Sequence, residues 1–162
     1  MLRPVNDVDL QHYEPCNLEA EGISSRLALL VYRAGIEVLS RGELALAEIG
    51  IGGRDYTTLA VLATDQPDSQ QELARLMGKA PPLMVAVVDE LEEKGLVARR
   101  RSSTDRRRSV VEVTDAGREM LARADAIADR LITVIFGALS AEERDGLHAP
   151  LRRAMAADAV PA

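Results

Sequence analysis

Seven lysine and arginine side chains stand within one short stretch of this chain, and their types and spacing indicate a chemical role. They are Lys94, Arg99, Arg100, Arg101, Arg106, Arg107 and Arg108, and the acid between them is Asp105. The stretch has a net charge of 7 − 1 = +6, whereas the whole chain has −6, so the other residues sum to −12. A concentrated positive charge on an acidic protein indicates a surface that binds a polyanion.

The residues around this basic run predict a β-hairpin that positions it. Two strands, over 96–101 and 109–113, are joined by a polar tip that holds the last three arginines. The second strand places Val111 and Val113 on one face and Glu112 on the other, which is the period-two pattern of a half-buried strand.

Two short helices joined by a tight turn are predicted just before the hairpin. Ser69–Glu72 is a capping box, in which the hydroxyl and the carboxylate satisfy free amides at a helix start. Gly78 ends this helix, and Pro81–Pro82 suits the first turn of the next, where a missing N–H costs little. That second helix runs to about Lys94 and ends at Gly95, so the pair forms a helix-turn-helix.

Longer apolar helices are predicted on both sides of this unit. The first spans about 21–49, with Gly42 as an interruption or as the end of its first part. The second runs from 115 to about 139, and its apolar stripe is too wide for a solitary surface helix, which implies a partner helix. A capping box at Ser140–Glu143 opens a last helix, which Pro150 is expected to kink or split. The predicted fold is mainly α with a small β-hairpin (α+β), a winged helix-turn-helix with helical extensions at both ends.

These residues and spacings resemble the multiple-antibiotic-resistance regulator (MarR) family of bacterial transcription factors over roughly residues 25–155. The strongest part is Leu91-Glu92, Gly95-Leu96-Val97, Arg99, Asp105-Arg106-Arg107, Val113-Thr114 and Gly117. The stretch from Gly50-Ile51 to Arg54-Asp55-Tyr56 resembles the entry to the second helix of the family. Leu73-Ala74 with Leu76-Met77-Gly78 resembles its third helix. A match of this extent is more specific than a short motif.

The resemblance implies a homodimer that binds a pseudo-palindromic site on double-stranded DNA, with one recognition helix in each half-site. It also implies repression that is released by a small aromatic or phenolic ligand, or by an oxidant. The implied division is an N-terminal arm over 1–20, a first dimerisation helix region over 21–52, a winged helix-turn-helix DNA-binding lobe over 53–114, and C-terminal dimerisation helices over 115–158.

The expected DNA-binding residues follow from this division and from the charge. They are Ser69, Gln70, Lys79, Pro82, Leu83, Ala86, Ser102, Arg106, Arg107 and Arg108. The arginines would grip phosphates or enter the minor groove, and helix-terminal amides near Ser69 would bind phosphate. The alternatives are a solvated basic turn and plain helix capping. Arg99 and Asp105 are predicted to be structural in the wing, because Asp105 can pair with Arg99 or Arg107.

The predicted recognition helix departs from the family pattern. Polar residues are usual at its outward positions, whereas here the residues are Ala80, Pro81, Leu83, Val85 and Ala86, and Glu90 replaces a frequent arginine. Reading guanine or adenine through paired hydrogen bonds requires Arg, Lys, Asn or Gln. The remaining ways to recognise a sequence are apolar contact with thymine methyl groups and the shape of the DNA. The alternative function is therefore a ligand- or protein-binding dimer of the same fold, with weak or lost sequence-specific DNA binding.

A ligand pocket is implied between the first two helices and the long helix. Arg26, Tyr32, Arg33 and Tyr56 are suited to an aromatic acid, but each also suits an ordinary helix surface, so none is assigned. Cys16 would be a redox sensor only as a thiolate, which its acidic neighbours disfavour.

Other classes of function lack support in the sequence. No nucleophile with a matched base and no cofactor fingerprint indicates an enzyme, and no cofactor is expected. His12 and His148 are far apart, which argues against a metal site. No apolar run approaches the roughly 20 residues of a membrane span, so a cytoplasmic protein with no membrane partner is expected.

Overall fold

A computed structural model describes residues 25–101 and 109–156 of the chain. The predicted arm, with Cys16 and His12, and the hairpin tip lie outside these residues. In chain order the elements are α1 (Leu27–Ala47), α2 (Gly53–Thr64), α3 (Gln70–Leu76), α4 (Pro81–Glu93), β1 (Val97–Arg101), β2 (Ser109–Val113), α5 (Asp115–Ile135) and α6 (Ala141–Ala156). This order is the predicted mainly helical fold with a hairpin wing. Within the described residues, no helix combines the length and the apolar character needed to cross a bilayer.

Three of the described helices end in the same way, at a glycine with positive φ. Gly50, Gly78 and Gly95 have φ of 87°, 60° and 71° after α1, α3 and α4, respectively. In each case the next residue donates its N–H to a carbonyl of the last helical turn, as Leu96 does to Leu91 at 2.9 Å. This Schellman arrangement satisfies carbonyls that would otherwise lack donors. The chain therefore turns sharply at the places where glycine interrupts the helical pattern.

The core is aliphatic and lies where α2, α4, the hairpin and α5 meet. Its largest fully buried side chains include Ile49, Leu59, Leu73, Met84, Leu91 and Ile127. The scarcity of aromatic residues (three Tyr, one Phe and no Trp) leaves aliphatic side chains to fill this space. This arrangement buries one face of α4 and leaves the opposite face exposed to solvent.

The hairpin is joined to α4 and α5 by a group of hydrogen bonds made by Thr114. β1 pairs antiparallel with β2, with Val97 opposite Val113. At the open end, the Leu96 carbonyl accepts a hydrogen bond from Thr114 N–H at 3.0 Å. The Thr114 hydroxyl donates to the Gly95 carbonyl at 2.7 Å and accepts from Gly117 N–H at 3.0 Å. The end of α4, both strands and the start of α5 are thus held together by one residue, Thr114.

Three details of the predicted outer helices differ from the structure. Gly42 does not interrupt α1, because a glycine keeps its helical hydrogen bonds and here leaves room for Leu131, 3.5 Å from a Cβ built at Gly42. Pro150 does not split α6, which continues through it. The long helix ends at Ile135 rather than near residue 139, and its apolar residues there belong to a turn. Apolar spacing alone does not distinguish a last helical turn from a packed loop.

The close approach of Gly117 to the Leu96 carbonyl at the base of the wing predicts that one added methyl group has a large effect on stability. A Cβ at Gly117 would lie 2.0 Å from the Leu96 carbonyl oxygen, which is backbone and cannot move aside. Gly117→Ala is expected to lower the free energy of unfolding by about 2–3 kcal/mol. Urea unfolding followed by circular dichroism measures the change. Gly35→Ala is the matched control, because a Cβ there meets nothing within 4 Å. An equal stability of the two variants would contradict the described joint.

Candidate nucleic-acid interface

Helix α4 presents an apolar ridge on the face that the core does not cover. Met84, Val87, Val88 and Leu91 point inward and are buried. The opposite face is formed by Pro81, Pro82, Leu83, Val85 and Ala86, all exposed. Leu83 and Val85 keep 45% and 44% of their surface in solvent. The predicted recognition helix is therefore exposed along the residues that lack hydrogen-bonding side chains.

The described DNA-binding candidates lie on α4 and just before it. Lys79, Pro82, Leu83 and Ala86 are exposed, from the turn into the first half of α4. Ser69 is the N-cap of α3, and its hydroxyl accepts from Glu72 N–H at 3.2 Å. The Gln70 Nε2 atom is buried, so this nitrogen is turned away from the surface. Ser102, Asp105, Arg106, Arg107 and Arg108 lie outside the described residues.

Arg99 ties the base of the wing to the acidic end of α4. Its guanidinium pairs with Asp89 and with Glu92, and its backbone N–H donates to Glu92 Oε1 at 3.0 Å. The hydrogen bonds from the Arg99 backbone and side chain lower the pKa of Glu92. The sequence suggested Asp105 as a partner of Arg99 and missed this contact, since seven and ten residues separate the partners that are found here. Arg99 thus neutralises negative charge on the same element that is predicted to meet DNA.

A second ion-pair cluster joins α2 to α4. The Arg54 guanidinium pairs with Glu90, the residue that departs from the family pattern. The buried Asp55 carboxylate accepts from Lys94 Nζ at 2.6 Å, and Arg54 Nη2 lies 3.7 Å from its other oxygen. The outward acidic residues of α4 are therefore compensated in part by basic residues of other elements.

A cavity of about 710 Å³ lies beside this cluster, between α1, α2, α5 and the turn into α4. Its walls are mostly apolar, and Leu39, Leu46, Val61, Met77, Ile127 and Leu131 are among them. Arg54, Tyr56, Lys79 and Glu43 bring polar groups to the walls. The cavity lies between the elements where the resemblance implies a ligand pocket, and Tyr56, one of the four side chains considered but not assigned there, lines it. Arg26, Tyr32 and Arg33 do not line it, whereas Arg54 and Lys79 do and were not suggested.

Tyr56 also links α2 to α5 at the edge of this cavity. Its hydroxyl donates to Asp125 Oδ1 at 2.8 Å. Burial, and then the hydrogen bond to Asp125, raise the pKa of Tyr56 from 10.0 to about 12. The folded protein therefore keeps the Tyr56 proton at a pH where the unfolded chain loses it. The corresponding stability is complete below pH 10 and is lost as the pH rises towards about 12.

Phenolate absorbance provides a test of this link. In a Tyr13→Phe, Tyr32→Phe background the signal comes from Tyr56, and its pKa is expected near 12. Asp125→Asn is expected to bring that pKa closer to 10, because it removes the charge that the hydroxyl faces. Asp129→Asn removes a charge that acts on Tyr56 only at a distance, so its effect should be smaller. An ordinary pKa in the unmodified background would show that the bond is absent in solution.

Comparisons with known proteins give consistent results for sequence and for structure. A model of the MarR family matches residues 49–108, from just after α1 to the residue before β2. The structure of CouR from Rhodococcus jostii RHA1, bound to p-coumaroyl-CoA, has 28% sequence identity and a TM-score of 0.70, and the match covers 88% of this chain and 100% of that one.

Two further solved structures are similar over most of the chain. A MarR-family transcriptional regulator from Rhodococcus sp. RHA1 has 27% identity and a TM-score of 0.71, over 87% of this chain and 100% of that one. A Mycobacterium tuberculosis MarR family protein in complex with p-aminosalicylic acid has 28% identity and a TM-score of 0.65, over 81% and 99%. The family model and these structures together show that the chain is similar to the MarR family and has its winged helix-turn-helix fold.

Proposed function

We propose that this chain is a cytoplasmic, dimeric, DNA-binding transcriptional regulator that acts as a repressor, without catalytic activity. The observation that carries the proposal is the combination of an exposed helix α4 with a strongly basic wing on one lobe. The run from Lys94 to Arg108 has a net charge of +6 in a chain of −6. Lys94, Arg99 and Arg100 are paired with acidic residues outside the run, so the proposal depends on the other arginines of the run. Such a surface fits the phosphate backbone of a duplex, and the rest of the acidic protein does not.

Two copies would place two α4 helices on successive turns of the major groove. In a symmetric dimer the half-sites would be roughly 34–36 Å apart. The wing arginines and Lys79 would supply charge, whereas Leu83 and Ala86 would contact bases through apolar surface. This arrangement predicts affinity that depends strongly on salt and sequence preference that depends on methyl groups and shape.

Fluorescence anisotropy across a salt series tests the wing. The protein is titrated onto duplexes from its own upstream region and onto shuffled duplexes. Arg106→Ala with Arg107→Ala is expected to weaken binding to both, and to reduce the slope of log affinity against log salt by about 1.8, since each lost phosphate contact removes about 0.9.

A variant with the same charge change on α6 serves as the control. Arg152→Ala with Arg153→Ala removes two charges from residues that are exposed and remote from the wing in sequence. Light scattering verifies that the control remains a dimer. If the wing variant and the control have the same slope, the wing does not contact DNA. If the unmodified protein shows no preference for its own upstream duplex, the proposed specificity is wrong.

We further propose that an aromatic acid, or its thioester with coenzyme A, binds in the cavity of about 710 Å³ and releases DNA. The similar proteins that bind p-coumaroyl-CoA and p-aminosalicylic acid support this class of ligand. Apolar walls suit an aromatic ring, and Arg54 and Lys79 suit its acidic group. Lys79 is also an expected DNA contact, so the ligand and the phosphate backbone would compete for it. By linkage, DNA must weaken ligand binding by the factor by which the ligand weakens DNA binding.

The Arg54–Glu90 pair predicts two changes of opposite sign in ligand affinity. Glu90→Gln removes the closer of the two carboxylates that pair with the Arg54 guanidinium. About two- to fivefold tighter binding of p-aminosalicylic acid is therefore expected, the scale of an exposed ion pair. Arg54→Gln removes the guanidinium and should weaken binding. Isothermal titration calorimetry measures both. Equal affinities of the two variants would exclude Arg54 from the ligand site.

The exposed face of α4 favours a second candidate function, a ligand- or protein-binding dimer with weak DNA binding. The first half of this face of α4 lacks hydrogen-bonding side chains, and its second half carries Asp89, Glu90 and Glu93. The anisotropy experiment discriminates between the two. Equal and steeply salt-dependent binding to both duplexes would favour this candidate.

A further inference from the structure

Arg54 lies at the boundary between the ligand cavity and the exposed face of α4. Its side chain lines the cavity of about 710 Å³. Its guanidinium also pairs with Glu90 on α4, and the pair is open to solvent, with 44% and 48% of the two side chains exposed. One cationic group therefore faces both the proposed ligand and the proposed DNA-binding helix.

Glu90 lies on the stripe of α4 that is expected to meet DNA. It follows Leu83 by seven residues and Ala86 by four, so the three side chains share one face of the helix. All three residues are exposed. An unpaired carboxylate on this stripe would repel phosphate groups, whereas a carboxylate paired with a guanidinium has little net charge. The Arg54–Glu90 pair thus sets the charge that this stripe presents to a duplex.

Arg54 can exchange Glu90 for another carboxylate at little cost. Its second acidic neighbour is the buried Asp55, whose Oδ1 atom lies 3.7 Å from Arg54 Nη2. Asp55 has a closer cation in Lys94, whose Nζ lies 2.6 Å from Oδ2. The charge of Asp55 therefore stays compensated when Arg54 turns towards the cavity. An ion pair between exposed side chains contributes little to stability, so a bound carboxylate can replace Glu90 as the partner of Arg54.

We propose that an acidic ligand releases DNA by taking Arg54 from Glu90, which leaves the Glu90 carboxylate unpaired on the DNA-binding stripe. The inference rests on the proposed function and adds the way in which its ligand site is coupled to DNA. The mechanism requires a negatively charged group on the ligand, because a neutral group does not displace a carboxylate from a guanidinium. It does not require the ligand to reach the DNA surface itself.

One unpaired carboxylate in each half-site is enough for a measurable loss of affinity. Two unit charges about 4 Å apart in water change an affinity by about fivefold. A dimer would expose two such carboxylates, so their combined effect is expected to be at least about tenfold at low salt. The effect should decrease as the salt concentration rises, because salt screens exposed charges.

The charge on Glu90 can be tested without any ligand. Arg54→Gln leaves Glu90 unpaired, and it is expected to weaken binding to the protein's own upstream duplex by at least about tenfold at low salt. Adding Glu90→Gln to this variant is expected to restore the affinity, because no carboxylate is then left on the stripe. Fluorescence anisotropy measures the three affinities, and circular dichroism verifies that the variants fold. An affinity that stays low in the double variant would mean that Arg54 contacts DNA directly, and it would overturn the mechanism.

A second set of titrations tests the release itself. The dissociation constant for the same duplex is measured without and with saturating p-aminosalicylic acid, and the ratio of the two constants reports the release. This ratio is expected to be at least about tenfold smaller for Glu90→Gln than for the unmodified protein, because the variant has no carboxylate to expose. Competition for Lys79 contributes to both ratios equally. The neutral amide of p-aminosalicylic acid is expected to leave the affinity for DNA nearly unchanged.

Glu93→Gln is the matched control for the release. Glu93 is exposed on the same helix and is not a partner of Arg54, so its variant is expected to keep the ratio of the unmodified protein. Equal ratios in the Glu90→Gln and Glu93→Gln variants would overturn the mechanism, and so would equal release by the neutral amide. Failure of the proposed function has a different signature. An unmodified protein that does not prefer its upstream duplex, or that shows no heat of binding with p-aminosalicylic acid, would overturn the regulator or its ligand.

Discussion

The contacts around the Leu96 carbonyl fix the relative positions of α4, the hairpin and α5. That carbonyl accepts from Thr114 N–H, and the Cα of Gly117 lies so close to it that no side chain fits between. One contact thereby sets the end of α4, the start of both strands' pairing and the first turn of α5. The direction of the wing relative to α4 depends on it, and so does the angle between the lobe and the long helix. A displacement at this point would move the wing relative to α4, and it would therefore weaken binding to a duplex that contacts both.

Electrostatic compensation is the second constraint on the proposed interface. Asp89, Glu90 and Glu92 would oppose a phosphate backbone if they stood alone. Arg99 and Arg54 reach them from β1 and from α2, so their charge is paired on the protein itself. Exposed pairs of this type contribute little to stability, about 0–1 kcal/mol each, so their importance lies in the field near α4. The same pairs connect α4 to the wing and to the wall of the ligand cavity.

The sequence predicts the elements of this fold better than it predicts the contacts of the site. Local signals determine helix ends, and the residues Gly78, Gly95, Ser69 and Ser140 act as their spacing indicates. The strand over 109–113 follows directly from its alternation. By contrast, the partners of Arg99 and Arg54 lie up to 36 residues away in the chain, and nothing local marks them. The burial of Glu37 in α1 is equally unmarked in the sequence, because a charged residue in an amphipathic helix is ordinarily expected on the solvent side.

The two prolines that open α4 have a consequence for the chemistry of its tip. Pro81 and Pro82 have no N–H, and the N–H groups of Leu83 and Met84 both donate to the Ala80 carbonyl, at 3.0 and 3.2 Å. The amino end of α4 therefore offers no backbone donor to an anion, unlike most helix starts. A helix that enters the groove in this form would meet the bases through hydrocarbon alone. It would respond to the C5-methyl group itself, so thymine and 5-methylcytosine would present the same methyl group to it.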